Sequence, residues 1–154
     1  MEKQLITFNL MEEEYGIDIL QVDGIQRLKE ITITRVPRAQ EFIDGIINLR
    51  GDVIPVIDLR KRFELGSSPQ DRDTRIIVVN VNEKLMGLLV DRVNEVTSVK
   101  EENIDEPPQE ITQIDSQFIE GIGKTDERLI ILLDIENILT SKEEEEISRL
   151  AENE

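Results

Sequence analysis

Residues Gly45 to Phe63 read Gly-Ile-Ile-Asn-Leu-Arg-Gly-Asp-Val-Ile-Pro-Val-Ile-Asp-Leu-Arg-Lys-Arg-Phe. Two apolar runs, Gly45–Leu49 and Val53–Ile57, flank Arg50-Gly51-Asp52. β-branched runs bounded by a glycine-containing turn predict a β-hairpin. A cation therefore sits at the tip of two buried strands. Asp58 to Leu65 follows with Leu59, Phe63 and three cations, which predicts a short helix closed by Gly66.

Working outward, Leu5–Leu10 and Tyr15–Ile19 are strand candidates around the polar Glu12-Glu13-Glu14. Apolar residues then fall at Ile19, Val22, Ile25 and Leu28. That spacing suits a helical turn running into a strand or a strongly twisted strand, and periodicity alone does not choose. Ile31 and Ile33 alternate with threonines as a half-buried strand would, and Pro37, lacking a ladder donor, breaks the run. Thr74–Asn82 and Lys84–Val90 predict another hairpin, and Val93, Val96 and Val99 repeat the three-residue spacing. Ile104–Gln117, with Pro107-Pro108, reads as a surface loop. Phe118–Ile122 and Leu129–Ile135 are strands. Beyond Glu136 the pattern becomes helical, with Ile138, Leu139, Ile147 and Leu150 apolar around Glu143–Glu146.

The chain matches itself. At a shift of 71, Leu5–Leu10 falls on Ile76–Val81, Gly16 on Gly87, Ile19 on Val90, Val22 on Val93, Ile25 on Val96, and Lys29-Glu30 on Lys100-Glu101. At a shift of 76, Phe42-Ile43-Asp44-Gly45-Ile46 falls on Phe118-Ile119-Glu120-Gly121-Ile122, and Ile57-Asp58-Leu59 on Leu133-Asp134-Ile135. The changed offset puts the extra residues in the Pro107-Pro108 loop, where insertion is tolerated. Two copies of a unit of about five short strands, residues 5–63 and 76–139, are too small to stand apart. The expectation is an all-β fold of two small intertwined barrels sharing a core within residues 1–140. A charged C-terminal helix or tail, 141–154, follows. Barrel closure also removes exposed strand edges.

Composition narrows the function. The 154 residues carry a net charge of −16, which disfavours nucleic acid or an anionic membrane as main partner. With no Cys and no His, thiol chemistry, His-based triads and nearly all zinc sites are excluded. Aromatics are only 3%, so the core is expected to be aliphatic. No segment has the length of a membrane span and the N-terminus lacks a signal-peptide pattern, so a cytoplasmic setting is expected.

Several motifs mean less than they suggest. Gly121-Ile122-Gly123-Lys124-Thr125 resembles the end of a phosphate loop, but Phe118 stands where that motif needs glycine and a strand follows instead of a helix. Arg50-Gly51-Asp52 as an integrin-type tripeptide is coincidence. No carboxylate pair has a spacing that suggests catalysis, and Asp58 and Asp134, each before a helical segment, read as helix caps. Arg50 says more, because the second copy carries Asp126-Glu127 where the first has Arg50-Gly51. A tip arginine offers a fork of donors to an acidic or carbonyl-rich partner. Ile19, Val22 and Ile25, with Val90, Val93 and Val96, would pack in a core or line a cleft between units that seats an amphipathic helix.

Glu14-Tyr15-Gly16-Ile17-Asp18-Ile19-Leu20, Phe42–Ile46, Asn48-Leu49-Arg50-Gly51, Val53–Leu59 and Leu88-Leu89-Val90-Asp91-Arg92-Val93 resemble the CheW-like domain family of bacterial chemotaxis coupling proteins. The likeness runs from about Leu5 to Leu139. The same domain occurs in the kinase CheA and the hybrid protein CheV; a chain of this length is expected to be a free coupling protein. The resemblance implies two SH3-like five-stranded barrels and a non-enzymatic adaptor without cofactor or metal. It implies two partners: the cytoplasmic tip of chemoreceptors and the regulatory domain of CheA. Membrane contact would be only indirect, at receptor arrays. It points to Ile19, Val22, Ile25, Val93 and Val96 as an apolar wall for the receptor helix and to Arg50 as its polar contact. The kinase is expected at the first barrel's edge, Ile33, Val36 and Pro37. Gly24 departs from the family pattern, standing where several relatives carry glutamate. The competing readings are a small β-barrel enzyme using carboxylates on a sugar or phosphate and a duplicated SH3-like RNA binder. The missing His and Cys oppose the first, and charge with few stacking aromatics opposes the second.

Overall fold

A computed structural model describes residues 1–37, 39–107 and 116–152. The first hairpin is β1 (Glu2–Leu10) and β2 (Glu13–Asp18). A 3-10 turn at Ile19–Gln21 leads into β3 (Val22–Arg27), so the three-residue spacing resolves into a turn followed by a strand. The predicted hairpin is β4 (Ile43–Leu49) and β5 (Asp52–Asp58), with Arg50 and Gly51 as its two-residue turn. Both take positive φ, 52° and 89°, the mirror-image turn whose twist suits flanking strands. A single-turn helix α1 (Leu59–Arg62), β6 (Arg75–Val81), β7 (Lys84–Val90) and β8 (Arg92–Lys100) follow. The chain continues through β9 (Ile104–Asp105), β10 (Ile119–Thr125), β11 (Arg128–Leu133) and α2 (Ser141–Glu152).

Two sheets result, ordered β8-β1-β2-β11-β10-β9 and β3-β6-β7-β5-β4. The barrels do not coincide with the repeats. The first hairpin, β1–β2, joins strands of the second copy, while β6–β7 joins strands of the first. The seams are parallel, β2 on β11 and β5 on β7. Closure uses the same device twice: Asp105 pairs with Ile122 in one sheet, and Thr34 bridges Ile46 in the other. These are equivalent positions under the shifts of 71 and 76. A glycine sits at each closure because the backbones approach closely. A Cβ on Gly121 would lie 2.8 Å from Ile104 Cγ2, and one on Gly45 would run into the Thr34 carbonyl. The expected strand around Ile31 and Ile33 is thus only this single bridge: the segment leaves the sheet on either side of Thr34. Part of the expected 104–117 loop is β9, and its residues 108–115 lie outside the described residues.

Among the described residues, three apolar clusters hold the fold together. Ile47, Ile54, Val56, Ile76, Val78 and Leu89 fill one barrel, and Leu5, Val99, Ile130 and Leu132 the other. The largest cluster lies between them and draws on both sheets, α1 and α2. The expectation of an aliphatic core holds within each barrel and fails here. All five aromatic residues are in the shared core: Phe8, Tyr15, Phe42, Phe63 and Phe118. Phe8 stacks on Tyr15 and Tyr15 on Phe63, with centroids 5.8 and 6.3 Å apart. Large rings fill the space between the two sheets; aliphatic side chains fill the barrels. Burial pushes the Tyr15 hydroxyl up to about 12.

Arg62 closes that core. Its guanidinium lies 4.5 Å from the Phe42 ring and 5.1 Å from the Phe118 ring, the matched pair of the two repeats. Its Nε donates to the Ile138 carbonyl at 2.7 Å, and its terminal nitrogens make a two-pronged pair with Glu143 of α2 at 2.8 and 3.1 Å. With buried Ile147, this fastens the charged C-terminal helix to the barrels. Asp58 caps α1 as expected, accepting from Lys61 N, and also holds Ser68 through its amide and hydroxyl. Asp134 does not cap: its side chain accepts from Asn137 Nδ2 at 2.6 Å and leaves the turn's backbone uncapped. Among the described residues, no helix is long and apolar enough to cross a membrane.

Candidate partner-binding surface

Of the expected receptor-side residues, Val22 and Ile25 lie on β3 and Val93 and Val96 on β8, each a terminal strand of its sheet; Ile19 lies in the 3-10 turn before β3 and Arg50 in the β4–β5 turn. Ile19, Val22 and Val93 are only partly exposed and pack against the shared core. They form the floor of any contact there, more than a free wall. Ile25 and Val96, which are repeat mates, point outward and are 40% and 52% exposed. An exposed pair of aliphatics at matching positions of two edge strands presents apolar surface without being needed for packing.

Arg50 is brought to the same region. Its side chain is 75% exposed and its Nη2 lies 3.6 Å from Asp23 Oδ2 on β3. The hairpin tip thus reaches the strand that carries Val22 and Ile25. Such an exposed, long pair contributes little to stability, so the guanidinium is available for an incoming acceptor.

The second half differs. Arg128, beside the Asp126-Glu127 tip, makes a two-pronged pair with Glu14 at 2.6 and 3.1 Å and reaches Glu95 of β8 at 3.0 Å. Burial pushes the Glu14 carboxyl up, but hydrogen bonds from Arg128, Thr7 and Asn94 outweigh this and hold it below the usual range. This arginine is committed to internal ties where Arg50 is not. The sequence comparison of tips missed it because Arg128 falls one residue past the turn.

Arg60 and Asp91 form a two-pronged pair between α1 and the start of β8, and Asp91 also accepts from Met11 N at 2.7 Å. These bonds position β8 against the rest of the core. Leu20, just past the expected Tyr15–Ile19 strand, is 89% exposed on the turn before β3. The N–H of Leu20 is held by Asp18 Oδ1 at 3.0 Å.

The expected kinase-side residues lie apart from these, along the outer edge of β4. Thr34 exchanges two backbone hydrogen bonds with Ile46, at 2.8 and 2.9 Å, and Arg35 pairs with buried Asp44 at 2.6 Å. Ile33 packs on the first barrel's core, Val36 is half-buried and Pro37 is exposed.

A family model described as the CheW-like domain matches residues 4–143. The chain belongs to the CheW-like domain family. It is 38% identical over 141 residues to the chemotaxis protein CheW of Klebsiella aerogenes, covering 92% of this chain and 84% of that protein. It is 35% identical to the CheW of Treponema pallidum, covering 96% and 88%. The scaffolding protein TtCheW of Thermoanaerobacter tengcongensis is similar in structure: TM-score 0.83, 43% identity, coverage 93% of this chain and 91% of that one. With the motif-bearing strands lying in a CheW-like arrangement, this chain is a chemotaxis coupling adaptor of a scaffold family.

Proposed function

We propose that this CheW-like chain joins the cytoplasmic tip of a chemoreceptor to the regulatory domain of the kinase CheA, and so places kinase activity under receptor control. It acts in the cytoplasm, at receptor arrays on the inner face of the membrane. The observation that carries the receptor side is the placement of Arg50 against Asp23 of β3, the strand that also carries the outward-facing Ile25. The receptor's helical tip lays apolar side chains over Ile25 and Val96, above Ile19, Val22 and Val93, while Arg50 fixes its register through a polar group. The kinase takes the separate edge at Ile33, Val36 and Pro37, so that one small molecule holds both partners at once.

Arg50→Ala removes the polar contact without disturbing a core, because the side chain is exposed. Receptor-tip affinity is expected to fall roughly tenfold, which corresponds to about 1.4 kcal/mol, with the melting temperature unchanged. Titration of a receptor cytoplasmic fragment reads this directly; normal binding would remove Arg50 from the site. The coupling role itself is tested by CheA autophosphorylation in a reconstituted system with receptor. Adding this protein should make kinase activity respond to receptor, and no change would refute the role.

A further inference from the structure

The Asp23 carboxylate is the acidic group against Arg50, and the fold does not require it. In β3, Val22 pairs with Val79 and Gly24 with Val78, which leaves Asp23 as the extra residue of a β-bulge. Bulges re-aim a side chain out of the strand's alternation. Here the re-aimed carboxylate, 39% exposed, reaches to 3.6 Å from the guanidinium of Arg50.

The duplication supplies an internal control. The equivalent strand β8 has a register shift at the equivalent place, where Val96 pairs with Ile6 and Val93 with Phe8. Its counterpart of Asp23 under the shift of 71 is Asn94, a neutral amide that donates to Asn9 Oδ1 at 2.7 Å. The same bulge thus accepts Asn in one half and Asp in the other. What Asp23 adds is charge, placed beside the exposed tip arginine.

We infer that Asp23 is an intramolecular competitor for Arg50, a residue that sets affinity and selectivity for the partner. This rests on the reading of Arg50 as the receptor contact. The partner group is a carboxylate on the docking helix. To reach Arg50 it displaces the Asp23 oxygen and then lies close to a like charge, which costs part of the gain. Asp23 therefore holds binding below what Arg50 alone would give and discriminates against partners that lack a well-placed acidic group.

The test is a double-mutant cycle on the full chain, titrated with a receptor cytoplasmic-tip fragment at low and high salt. Asp23→Asn, which copies the second repeat, is expected to keep the melting temperature and bind roughly two- to fivefold tighter, the range a surface ion pair spans. The gain should vanish in an Arg50→Ala background and shrink at high salt. If Arg50→Ala weakens binding but Asp23→Asn leaves it unchanged or weaker, Asp23 holds Arg50 in place and the competition is refuted. If Arg50→Ala itself has no effect, the underlying receptor reading fails as well. A gain that persists without Arg50 would overturn the inference by showing simple repulsion of the partner.

Discussion

Arg62→Ala is expected to lower stability by about 2–4 kcal/mol, because it leaves the half-buried Glu143 without its cation and removes the cation from between two rings. For a chain of this size that is a drop in melting temperature of roughly 5–15 °C. The guanidinium serves the Phe42 and Phe118 rings, the Ile138 carbonyl and Glu143 together, so its loss affects both barrels and α2 at once. Thermal unfolding followed by circular dichroism gives the magnitude, and limited proteolysis tests whether α2 loosens first. The paired change Arg62→Met/Glu143→Leu should recover a large part of the loss, since it leaves neither charge buried alone and adds apolar volume. An Arg62→Ala variant that melts within two degrees of the parent would mean that the aromatic pair holds the barrels together unaided.

The largest effect on function is expected from Ile25→Asp combined with Val96→Asp. Both side chains are substantially exposed, so the fold should survive with a nearly unchanged melting temperature. In the proposed complex each would place a carboxylate beneath an apolar side chain of the receptor helix, which is costly without a partner. Loss of two central anchors should weaken receptor binding a hundredfold or more, equivalent to about 3 kcal/mol. CheA binding, placed at the Ile33–Pro37 edge, should be retained. Affinity for the receptor fragment within threefold of the parent would show that the two terminal strands are not the docking surface. A parallel loss of CheA binding would show that the two partner surfaces are not separate.

The hairpin at Gly45–Phe63 was readable from sequence because its signals are local: two apolar runs, a turn that needs positive φ, and an aspartate that caps the next helix. The strand after Arg27 was misread for the converse reason. Ile31 and Ile33 alternate as a strand would, yet only Thr34 finds a backbone partner across the closing seam. Asp134 was read as a cap by analogy with Asp58. The two side chains diverge because Asp58 is enclosed by Ser68, whereas Asp134 turns to Asn137. For the candidate surface, apolar spacing could not separate Ile25 and Val96, which face outward, from Ile19, Val22 and Val93, which pack on the core.

By itself the sequence determined that the chain is β-rich, duplicated and free of Cys and His, because composition, turn chemistry and self-similarity are carried along the chain. Its motifs also carried the family. The tertiary structure alone decided which hairpin joins which barrel. Strand pairing across the parallel seams depends on side-chain fit between distant segments, and both copies offer nearly the same aliphatic faces. It also decided where the aromatics gather and that, among the described residues, Arg128 is consumed by Glu14 and Glu95 while Arg50 lies against Asp23. Each is a matter of distance between residues far apart in sequence, fixed only when the two sheets close around their common core.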